Sequence, residues 1–330
     1  MFLGQQISVV LMKALQFTNN KLQLSEIETP VRAGETLVRV NLSGICNTDA
    51  EIVRGYAGFE GTIGHEFVGT VEKASDNSNL VGKRVVGEIN AGCGACGKCL
   101  GGDSRHCPTR TVLGIVKRDG AHAEYLSLPT RNLIEVPANV TDEQAVFAEP
   151  LAAAIGITEQ VEVNNDTRIA VIGDGKLGLL CAMALALRSN DVSIIGKHAN
   201  KIAIAEKVGV KGVLLSETAA AMHQTFDIVV EASGSETGFA TAVELVRPRG
   251  KIVLKSTFQG NPTWPASRVV VDEISIIGSR CGRMSDAIDV LANNAINVTD
   301  LISNEFALRD GVAAMDRAMT RGVLKVLLRP

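Results

Sequence analysis

Four of the seven cysteines lie within one short stretch, CGACGKCLGGDSRHC, at positions 93, 96, 99 and 107. Four thiolates on one loop can surround a tetrahedral zinc ion and leave no open position for a substrate. Disulfides across two-residue spacings would be strained, and a redox pair would need only one C-x-x-C. An iron–sulfur cluster is the remaining alternative, although the spacing differs from that of ferredoxins. The pattern therefore favours a structural zinc site.

A second set of potential metal ligands comes from three separated segments, GICNTDAE, TIGHEFVG and FAEPLAAA, which supply Cys46, His65 and Glu149. A thiolate, an imidazole and a carboxylate would leave a fourth zinc position open for water or substrate. Taken singly, these residues are more typical of a buried thiol, a core histidine and a helix-entry acid. Their joint occurrence favours a catalytic metal site. Further candidates in the same segments are Thr48, Asp49 and Glu66.

A glycine-rich turn lies in the segment AVIGDGKLG, where Gly173, Gly175 and Gly178 form G-x-G-x-x-G. An apolar strand precedes this turn and a helix follows it, so the pyrophosphate of a dinucleotide would lie at the helix N-terminus. The motif alone is weak, but further strand–helix units downstream strengthen it. We therefore expect a nicotinamide dinucleotide.

The next strand indicates which dinucleotide is preferred, because it ends in Gly196 instead of an acid that would grip the ribose 2′-hydroxyl. The glycine leaves room for a 2′-phosphate, and Lys197 can pair with it, unless that lysine is simply solvated. We therefore expect NADP in preference to NAD. Arg280 could contact cofactor, substrate or only a surface carboxylate. The other candidate cofactor residues are Lys176, Leu177, His198, Ala232, Ser233, Lys255, Ser256 and Thr257.

The expected secondary structure differs between the two parts of the chain. Up to about residue 135, short β-like runs separated by Gly, Asn, Asp and Pro predict a compact β-rich unit. From Arg168 onward strands and helices alternate, which predicts a parallel sheet with helices on both faces. The tail predicts two helices and a closing strand.

Bulk composition excludes several functions. A length of 330 residues favours two domains, and a net charge of -3 gives no electrostatic reason to expect nucleic acid or an anionic membrane as partner. The run KLGLLCAMALALR is too short to span a bilayer. The start of the chain, MFLGQQISVVLMKALQF, reads as a first strand with a lead-in instead of a signal peptide. We therefore expect a cytoplasmic, reducing location.

Several motifs, in this order along the chain, carry a resemblance to a known family: GICNTD, GHEFVG, CGACGKC with the later Cys107, AEPLAAA and VIGDGKLG. The chain resembles the zinc-dependent medium-chain dehydrogenases/reductases, the alcohol and polyol dehydrogenase superfamily, essentially from Lys13 to its end. The resemblance implies an α/β fold with a β-rich GroES-like catalytic domain, residues 1–150 and 283–330, and a Rossmann domain, residues 151–282, with a doubly wound parallel sheet.

Residue roles also follow from the resemblance. Cys46, His65 and Glu149 would bind catalytic zinc, Asp49 would orient His65, and Glu66 would lie beside the metal as an alternate ligand. A glutamate at position 149, where many alcohol dehydrogenases have cysteine, resembles the sorbitol and glucose dehydrogenases. The Thr48 hydroxyl would accept the alcohol proton.

The expected protein is a zinc-dependent oxidoreductase that transfers a hydride between a polyol, sugar or related alcohol and NADP(H). It would hold two zinc ions per chain, act on a small-molecule alcohol or carbonyl, and form a homodimer or homotetramer. An NAD-dependent dehydrogenase of a non-sugar alcohol is the nearest alternative. A zinc hydrolase would have no use for the glycine turn, a zinc-free quinone or enoyl reductase would lack the metal ligands, and a non-catalytic scaffold would have no reason to retain them.

Overall fold

A computed structural model of the chain describes residues 10–74, 77–218, 220–257 and 265–330. The lead-in expected before the first strand, residues 1–9, lies outside the described residues. The chain forms two compact units, Met1–Glu149 with Ile302–Pro330, and Pro150–Leu301. Within the described residues, no helix combines the length and apolar character needed to cross a bilayer.

The first unit is built mainly from short strands. Its strands are β1 Leu11–Thr18, β2 Lys21–Glu28, β3 Glu35–Gly44, β4 Gly61–Thr62, β5 Glu66–Lys73, β6 Arg84–Gly87, β7 Asn90–Ala91, β8 Thr111–Val112, β9 Tyr125–Pro129 and β10 Leu133–Glu135. Its α-helices before the unit boundary are α1 Asn47–Val53, α2 Gly97–Leu100 and α3 Asp142–Ala145, and α4 Ala148–Ile155 crosses that boundary. Short 3₁₀ turns occur at Tyr56–Gly58, Ser78–Leu80, Ser104–His106 and Thr130–Asn132.

The second unit alternates strands and helices. Its strands are β11 Arg168–Ile172, β12 Asp191–Gly196, β13 Lys211–Leu214, β14 Phe226–Glu231, β15 Val246–Leu254 and β16 Ser275–Gly278. Its helices are α5 Lys176–Ala186, α6 Ala199–Glu206, α7 Glu236–Leu245, α8 Ala266–Val271 and α9 Met284–Ala292. Its 3₁₀ turns lie at Gly156–Glu159, Leu215–Glu217, Ala220–Met222 and Thr299–Leu301.

The chain then returns to the first unit with β17 Ile302–Ala307, a 3₁₀ turn Leu308–Asp310, α10 Gly311–Ala318 and β18 Lys325–Arg329. The main sheet of this unit has the order β10-β6-β5-β3-β18-β17, with β9 also paired to β3. The last strand therefore lies beside β3, directly next to the segment that leads to Cys46. A buried apolar cluster beneath it includes Leu15, Phe59, Ile63 and Leu328.

The sheet of the second unit is parallel throughout, in the order β13-β12-β11-β14-β15-β16. The strands after β11 run first to one side and then, from β14, to the other, which makes the fold doubly wound. Strands β11 and β14 are almost fully buried and rich in Ile and Val, as a sheet covered on both faces requires.

The predicted α/β class, with a β-rich unit and a doubly wound parallel sheet, is confirmed. Residues 283–301, which the sequence interpretation assigned to the first domain, fall in the second unit. They include α9, whose apolar face is buried at Met284, Ile288 and Leu291. The boundary was drawn at the expected return of the chain, but the chain returns only at Ile302, where β17 begins.

Candidate functional site

Cys46, His65 and Glu66 come together in the first unit, with one potential ligand atom from each within 4.8 Å of the others. Cys46 is the N-cap of α1, between the end of β3 and the helix. His65 immediately precedes β5, and Glu66 is its first residue, so the pairing of β3 with β5 brings the two segments side by side. Both His65 and Glu66 are buried.

Asp49 connects the two segments from within α1. Its Oδ2 accepts a hydrogen bond from the Cys46 backbone N–H at 2.7 Å, and its Oδ1 accepts one from the Gly64 N–H at 3.2 Å. The same Oδ1 lies 3.2 Å from His65 Nδ1. Burial opposes ionisation of Asp49, but the charges of His65 and His122 lower its pKa well below the usual range. An ionised Asp49 therefore fixes the histidine ring relative to Cys46.

Glu66 has two differently placed carboxylate oxygens. Its Oε2 accepts a hydrogen bond from the ammonium of Lys325, a fully buried residue at the start of β18. Its Oε1 is buried and has no hydrogen-bond partner among the residues the structure describes. A buried unpaired carboxylate oxygen is costly, and a cation at this position would compensate for it.

Glu149, expected as the third metal ligand, lies outside the group of three described residues whose ligand atoms meet. It is nevertheless close enough to be affected by their charges. Burial raises the pKa of Glu149 to about 7, with His65 opposing this effect and Glu66 and Glu88 adding to it. Glu149 is thus a second carboxyl group within electrostatic range of His65 and Glu66.

Thr48 lies two residues after Cys46 in the first turn of α1. Its Oγ1 is 3.7 Å from the Cys46 Sγ. A groove of about 260 Å³ opens on Cys46 and is lined by Asn47, Ala50 and Glu51 of α1, by Arg54 directly after it, and by residues 318–323. A small molecule in this groove could therefore approach Cys46 from outside.

The donor set fits a zinc ion. Sulfur, imidazole nitrogen and carboxylate oxygen are the ligands that catalytic zinc takes in proteins, and three of them leave one coordination position open. Glu66 Oε1, which has no hydrogen-bond partner among the described residues, is an oxygen atom that such an ion could bind. The metal could therefore be held by Cys46, His65 and Glu66. Glu149 is a further carboxylate within electrostatic range of this group.

The four clustered cysteines also converge. Their sulfur atoms lie within 4.8 Å of one another, with Cys96 Sγ 3.6 Å and Cys93 Sγ 4.0 Å from Cys99 Sγ. Four sulfurs about 2.3 Å from a central zinc would be about 3.8 Å apart in a tetrahedron. The Cys93 N–H lowers the pKa of the Cys107 thiol to about 6, which favours the thiolate that binds metal. The set therefore fits a closed zinc site.

In the second unit, the glycine turn lies between β11 and α5. Gly173 has φ +114°, a conformation that glycine adopts readily, and Gly175 is the N-cap of α5. A Cβ on Gly178 would overlap the Gly173 carbonyl, so the third glycine permits the helix to approach the turn. Lys176 and Leu177 lie in the first turn of α5, the end of a helix at which phosphates bind.

At the end of β12, Asp174 of the glycine turn holds the backbone that follows Gly196. Asp174 Oδ2 accepts hydrogen bonds from the backbone N–H groups of Lys197 at 2.7 Å and His198 at 2.6 Å, and it lies 2.9 Å from His198 Nδ1. A Cβ on Gly196 would stand only 2.5 Å from the Asp174 Cβ. The Lys197 side chain remains exposed beside this turn.

The other candidate cofactor residues lie at the carboxyl ends of β14 and β15. Ala232 and Ser233 follow β14, and the Gly234 N–H donates to Ser256 Oγ at 2.9 Å, so the loops after the two strands are joined. Thr257 is exposed at the end of the described segment. Arg280 has an exposed side chain, and its carbonyl accepts a hydrogen bond from Lys255.

Two residues at the metal group were missed by the sequence interpretation. Lys325 gave no signal, because nothing in the tail marks a lysine as buried. His122 is fully buried, with Nδ1 2.9 Å from Ser43 Oγ and Nε2 3.5 Å from Asp49 Oδ2. Its position beside Gly64, where a Cβ would stand 2.6 Å from the ring, explains the glycine before His65.

Comparison with known families gives two matches along the chain. The family described as alcohol dehydrogenase GroES-like domain matches residues 32–138, and the family described as zinc-binding dehydrogenase matches residues 177–296. The first match contains Cys46, His65 and the four clustered cysteines. The second begins at Leu177, in the first turn of α5.

Individual relatives are distant but cover most of the chain. A sorbitol dehydrogenase from Halalkalibacterium halodurans is 27% identical over 312 residues, 89% of this chain and 91% of the relative. A zinc-binding dehydrogenase from Sinorhizobium meliloti, solved with NADP, has a TM-score of 0.88 at 25% identity, covering 97% of this chain and all of that one. An alcohol dehydrogenase from Escherichia coli CFT073, complexed with NADH, has a TM-score of 0.89 at 28% identity, covering 97% and 99%.

Proposed function

Because the chain belongs to the zinc-dependent alcohol and polyol dehydrogenases of the medium-chain dehydrogenase/reductase superfamily, we propose that it oxidises a polyol, a sugar or a related alcohol with NADP as hydride acceptor. The observation that carries this proposal is the convergence of Cys46, His65 and Glu66, in which Cys46 is half-buried and the other two residues are buried. The reverse reaction, reduction of the corresponding ketone or aldehyde, would use the same residues.

The metal ligands in this proposal are Cys46, His65 and a carboxylate. A bound zinc ion would polarise the alcohol oxygen and lower the pKa of its hydroxyl group. Glu66 is our first choice for the carboxylate, since its Oε1 is buried and unpaired in the described structure. Glu149, the residue expected from the sequence, is a second carboxylate within electrostatic range. Asp49 would hold the His65 ring in place, given its 3.2 Å contact with Nδ1.

Thr48 would take the proton that the alcohol loses. Its hydroxyl is half-buried, lies 3.7 Å from the Cys46 sulfur, and can accept one hydrogen bond while donating another. The groove that opens on Cys46 would admit the substrate. The residues of this unit therefore bind and orient the alcohol, while the cofactor receives the hydride.

The preference for NADP rests on Gly196 and the exposed Lys197 at the end of β12. The backbone there is held by Asp174, whose Oδ2 already accepts two N–H donors and contacts the His198 ring. The Lys197 side chain is thus left to pair with a 2′-phosphate. The solved relatives include one with NADP and one with NADH, so the family accommodates both cofactors.

A polyol or sugar is the proposed substrate class because of Glu149 and the sorbitol dehydrogenase relative. The second zinc of the proposal would be held by Cys93, Cys96, Cys99 and Cys107 and would stabilise the surrounding loop. Since both sites depend on reduced thiols, we place the protein in a reducing compartment such as the cytoplasm.

We also propose that two copies associate through β16. This strand is at the edge of the parallel sheet and is mostly exposed. Val270 and Val271 on the preceding helix are exposed by 77% and 79%. An open edge beside exposed valines is a surface that natural proteins usually cover. A homodimer, or a tetramer built from it, would bury both features, and sedimentation of the purified chain measures the mass directly.

The experiment that tests the proposed function is a screen of polyols, sugars and simple alcohols with NADP and with NAD, followed by absorbance of the reduced nicotinamide. The proposal predicts turnover with at least one polyol or sugar and a preference for NADP. Turnover only with simple alcohols would contradict the substrate class, and a preference for NAD would contradict the cofactor assignment. The His65→Ala variant is the matched control for metal-dependent turnover.

A further inference from the structure

A second fully buried histidine, His122, contacts the aspartate that holds His65. Its Nε2 lies 3.5 Å from Asp49 Oδ2, and His65 Nδ1 lies 3.2 Å from Asp49 Oδ1. Neither of these buried nitrogen atoms has a hydrogen-bond partner elsewhere in the part of the chain that the structure describes. The Asp49 carboxylate is therefore the acceptor that both ring nitrogens face.

The carboxylate of Asp49 has two neighbours at each of its oxygen atoms. Oδ1 accepts the Gly64 N–H at 3.2 Å and lies beside His65 Nδ1. Oδ2 accepts the Cys46 N–H at 2.7 Å and lies beside His122 Nε2. One backbone donor and one imidazole at each oxygen match the four lone-pair directions of a carboxylate. Because Asp49 is fully buried, losing one of these neighbours would leave part of its charge uncompensated.

The His122 ring is also held at its other nitrogen. Nδ1 lies 2.9 Å from the hydroxyl oxygen of Ser43, a buried residue of β3. A hydroxyl group can donate to this nitrogen or accept from it, so the contact is possible with either tautomer of the ring. Ser43 therefore fixes the ring orientation in which Nε2 faces Asp49.

The backbone of His122 is anchored as well. Its N–H donates to the Ile63 carbonyl at 3.0 Å, and its carbonyl accepts from the Leu15 N–H at 2.8 Å. The ring lies directly against Gly64, where a Cβ would stand 2.6 Å from the ring. Since Gly64 immediately precedes His65, His122 limits where the backbone of this proposed ligand can lie.

The position of Asp49 affects two of the three proposed zinc ligands at once. It contacts the backbone of Cys46 through Oδ2 and the ring of His65 through Oδ1. Metal-binding histidines usually donate their second ring N–H to such a partner, and its loss typically lowers metal affinity by about 10–100-fold. A residue that prevents the carboxylate from rotating would therefore hold both ligands in place.

We propose that His122 is a positioning residue for the catalytic zinc site: held by Ser43, it keeps Asp49 in the orientation that aligns Cys46 and His65 for the metal. His122 acts through Asp49 and does not itself bind the ion. Its nitrogens lie outside the group of described ligand atoms that are within 4.8 Å of one another. This inference rests on the proposed function, because it takes Cys46 and His65 as zinc ligands.

The test compares three variants of His122. His122→Phe fills the space without a ring nitrogen, His122→Asn places an amide near the position of Nδ1, and His122→Gln places one near the position of Nε2. The affinity of the zinc ion that His65→Ala lacks is measured by competition with a chelator. We expect this affinity to fall by roughly tenfold or more in His122→Phe and His122→Asn. It should stay close to the wild-type value in His122→Gln, which can still donate to Asp49 Oδ2.

Cobalt(II) substitution gives a second readout, because the visible absorption bands of the ion report the geometry of its ligands. We expect altered bands in His122→Phe and His122→Asn and wild-type bands in His122→Gln. His223→Phe makes the same change at an exposed histidine of the other unit and is the matched control. It should alter neither the zinc affinity nor the bands.

Wild-type zinc affinity and cobalt bands in a folded His122→Phe protein would overturn the inference. So would equal behaviour of His122→Asn and His122→Gln, because it would show that contact with Asp49 is not what matters. That comparison also decides the question if His122→Phe does not fold. Failure of the wild type to bind a zinc ion that depends on His65 would instead refute the proposed metal site, and the inference with it.

Discussion

Lys325 and Glu66 form an ion pair with both side chains 99% buried, although 259 positions separate them in the sequence. The lysine begins β18 and the glutamate begins β5, and both strands pair with β3. Lys325 binds one carboxylate oxygen of Glu66 and lies 5.6 Å from the Phe147 ring centroid. The other oxygen, Oε1, has no hydrogen-bond partner among the described residues. The last strand of the chain thus holds one carboxylate oxygen of a residue near its beginning.

Replacing Lys325 with methionine should destabilise the zinc-free protein more than the zinc-loaded protein. Removing one partner of a buried pair typically costs about 3–5 kcal/mol, because the other charge is left uncompensated. A zinc ion bound to Glu66 would supply part of the missing compensation. Urea unfolding with and without zinc measures the difference. The control is Lys83→Met, whose ion pair with Glu135 is half exposed and should contribute less than about 1 kcal/mol. Equal destabilisation in both metal states would argue against Glu66 as a ligand.

The two candidate carboxylate ligands can be distinguished by metal content. We expect Glu66→Gln to weaken binding of the catalytic zinc by at least roughly tenfold, since a ligand is lost. Glu149→Gln should retain that zinc while turnover falls. Elemental analysis at limiting free zinc, combined with turnover, separates the two variants. The reverse pattern, with zinc lost in Glu149→Gln and kept in Glu66→Gln, would restore Glu149 as the third ligand.

Cys96→Ser should remove one zinc ion per chain and lower the thermal midpoint, because a structural zinc site contributes directly to folding free energy. Binding of NADP should persist, since the glycine turn belongs to the other unit. The control is Cys281→Ser. Cys281 belongs to neither group of candidate metal ligands found among the described residues, so this variant should keep both ions. Full zinc content in Cys96→Ser would show that the four cysteines do not form a metal site.

Lys197→Asp should weaken NADP binding relative to NAD by about tenfold, as attraction to the 2′-phosphate becomes repulsion. Lys21→Asp makes the same charge change on an exposed residue of the other unit and should leave the ratio unchanged. Titrations with both cofactors give the ratio directly. An unaltered ratio in Lys197→Asp would mean that this lysine is merely solvated.

Local patterns in the sequence predicted much of this molecule. The alternation of strands and helices after Arg168 identified the parallel sheet, and the spacing of the four cysteines predicted their convergence. Both depend on residues close together in the chain. Strand β16 and helix α8 escaped notice because they are short and largely exposed, and so have no apolar periodicity.

Local patterns do not predict contacts between segments that are far apart in the sequence. The pairing of Lys325 with Glu66 requires β18 to lie beside β3, which no local signal specifies. The reach of Lys255 to the end of α4 depends in the same way on the position of the loop after β16. Asp174 was adjacent to recognised glycines, yet its contact with the turn after β12 arises only when the two strands pair.

Zinc per chain and alcohol-dependent reduction of NADP, measured in the same preparations of wild type and His65→Ala, test the catalytic metal site most directly. We expect about two zinc ions and turnover in the wild type, and about one zinc ion without turnover in His65→Ala, with NADP binding intact in both. A folded His65→Ala protein that keeps both zinc ions and wild-type turnover would contradict this expectation.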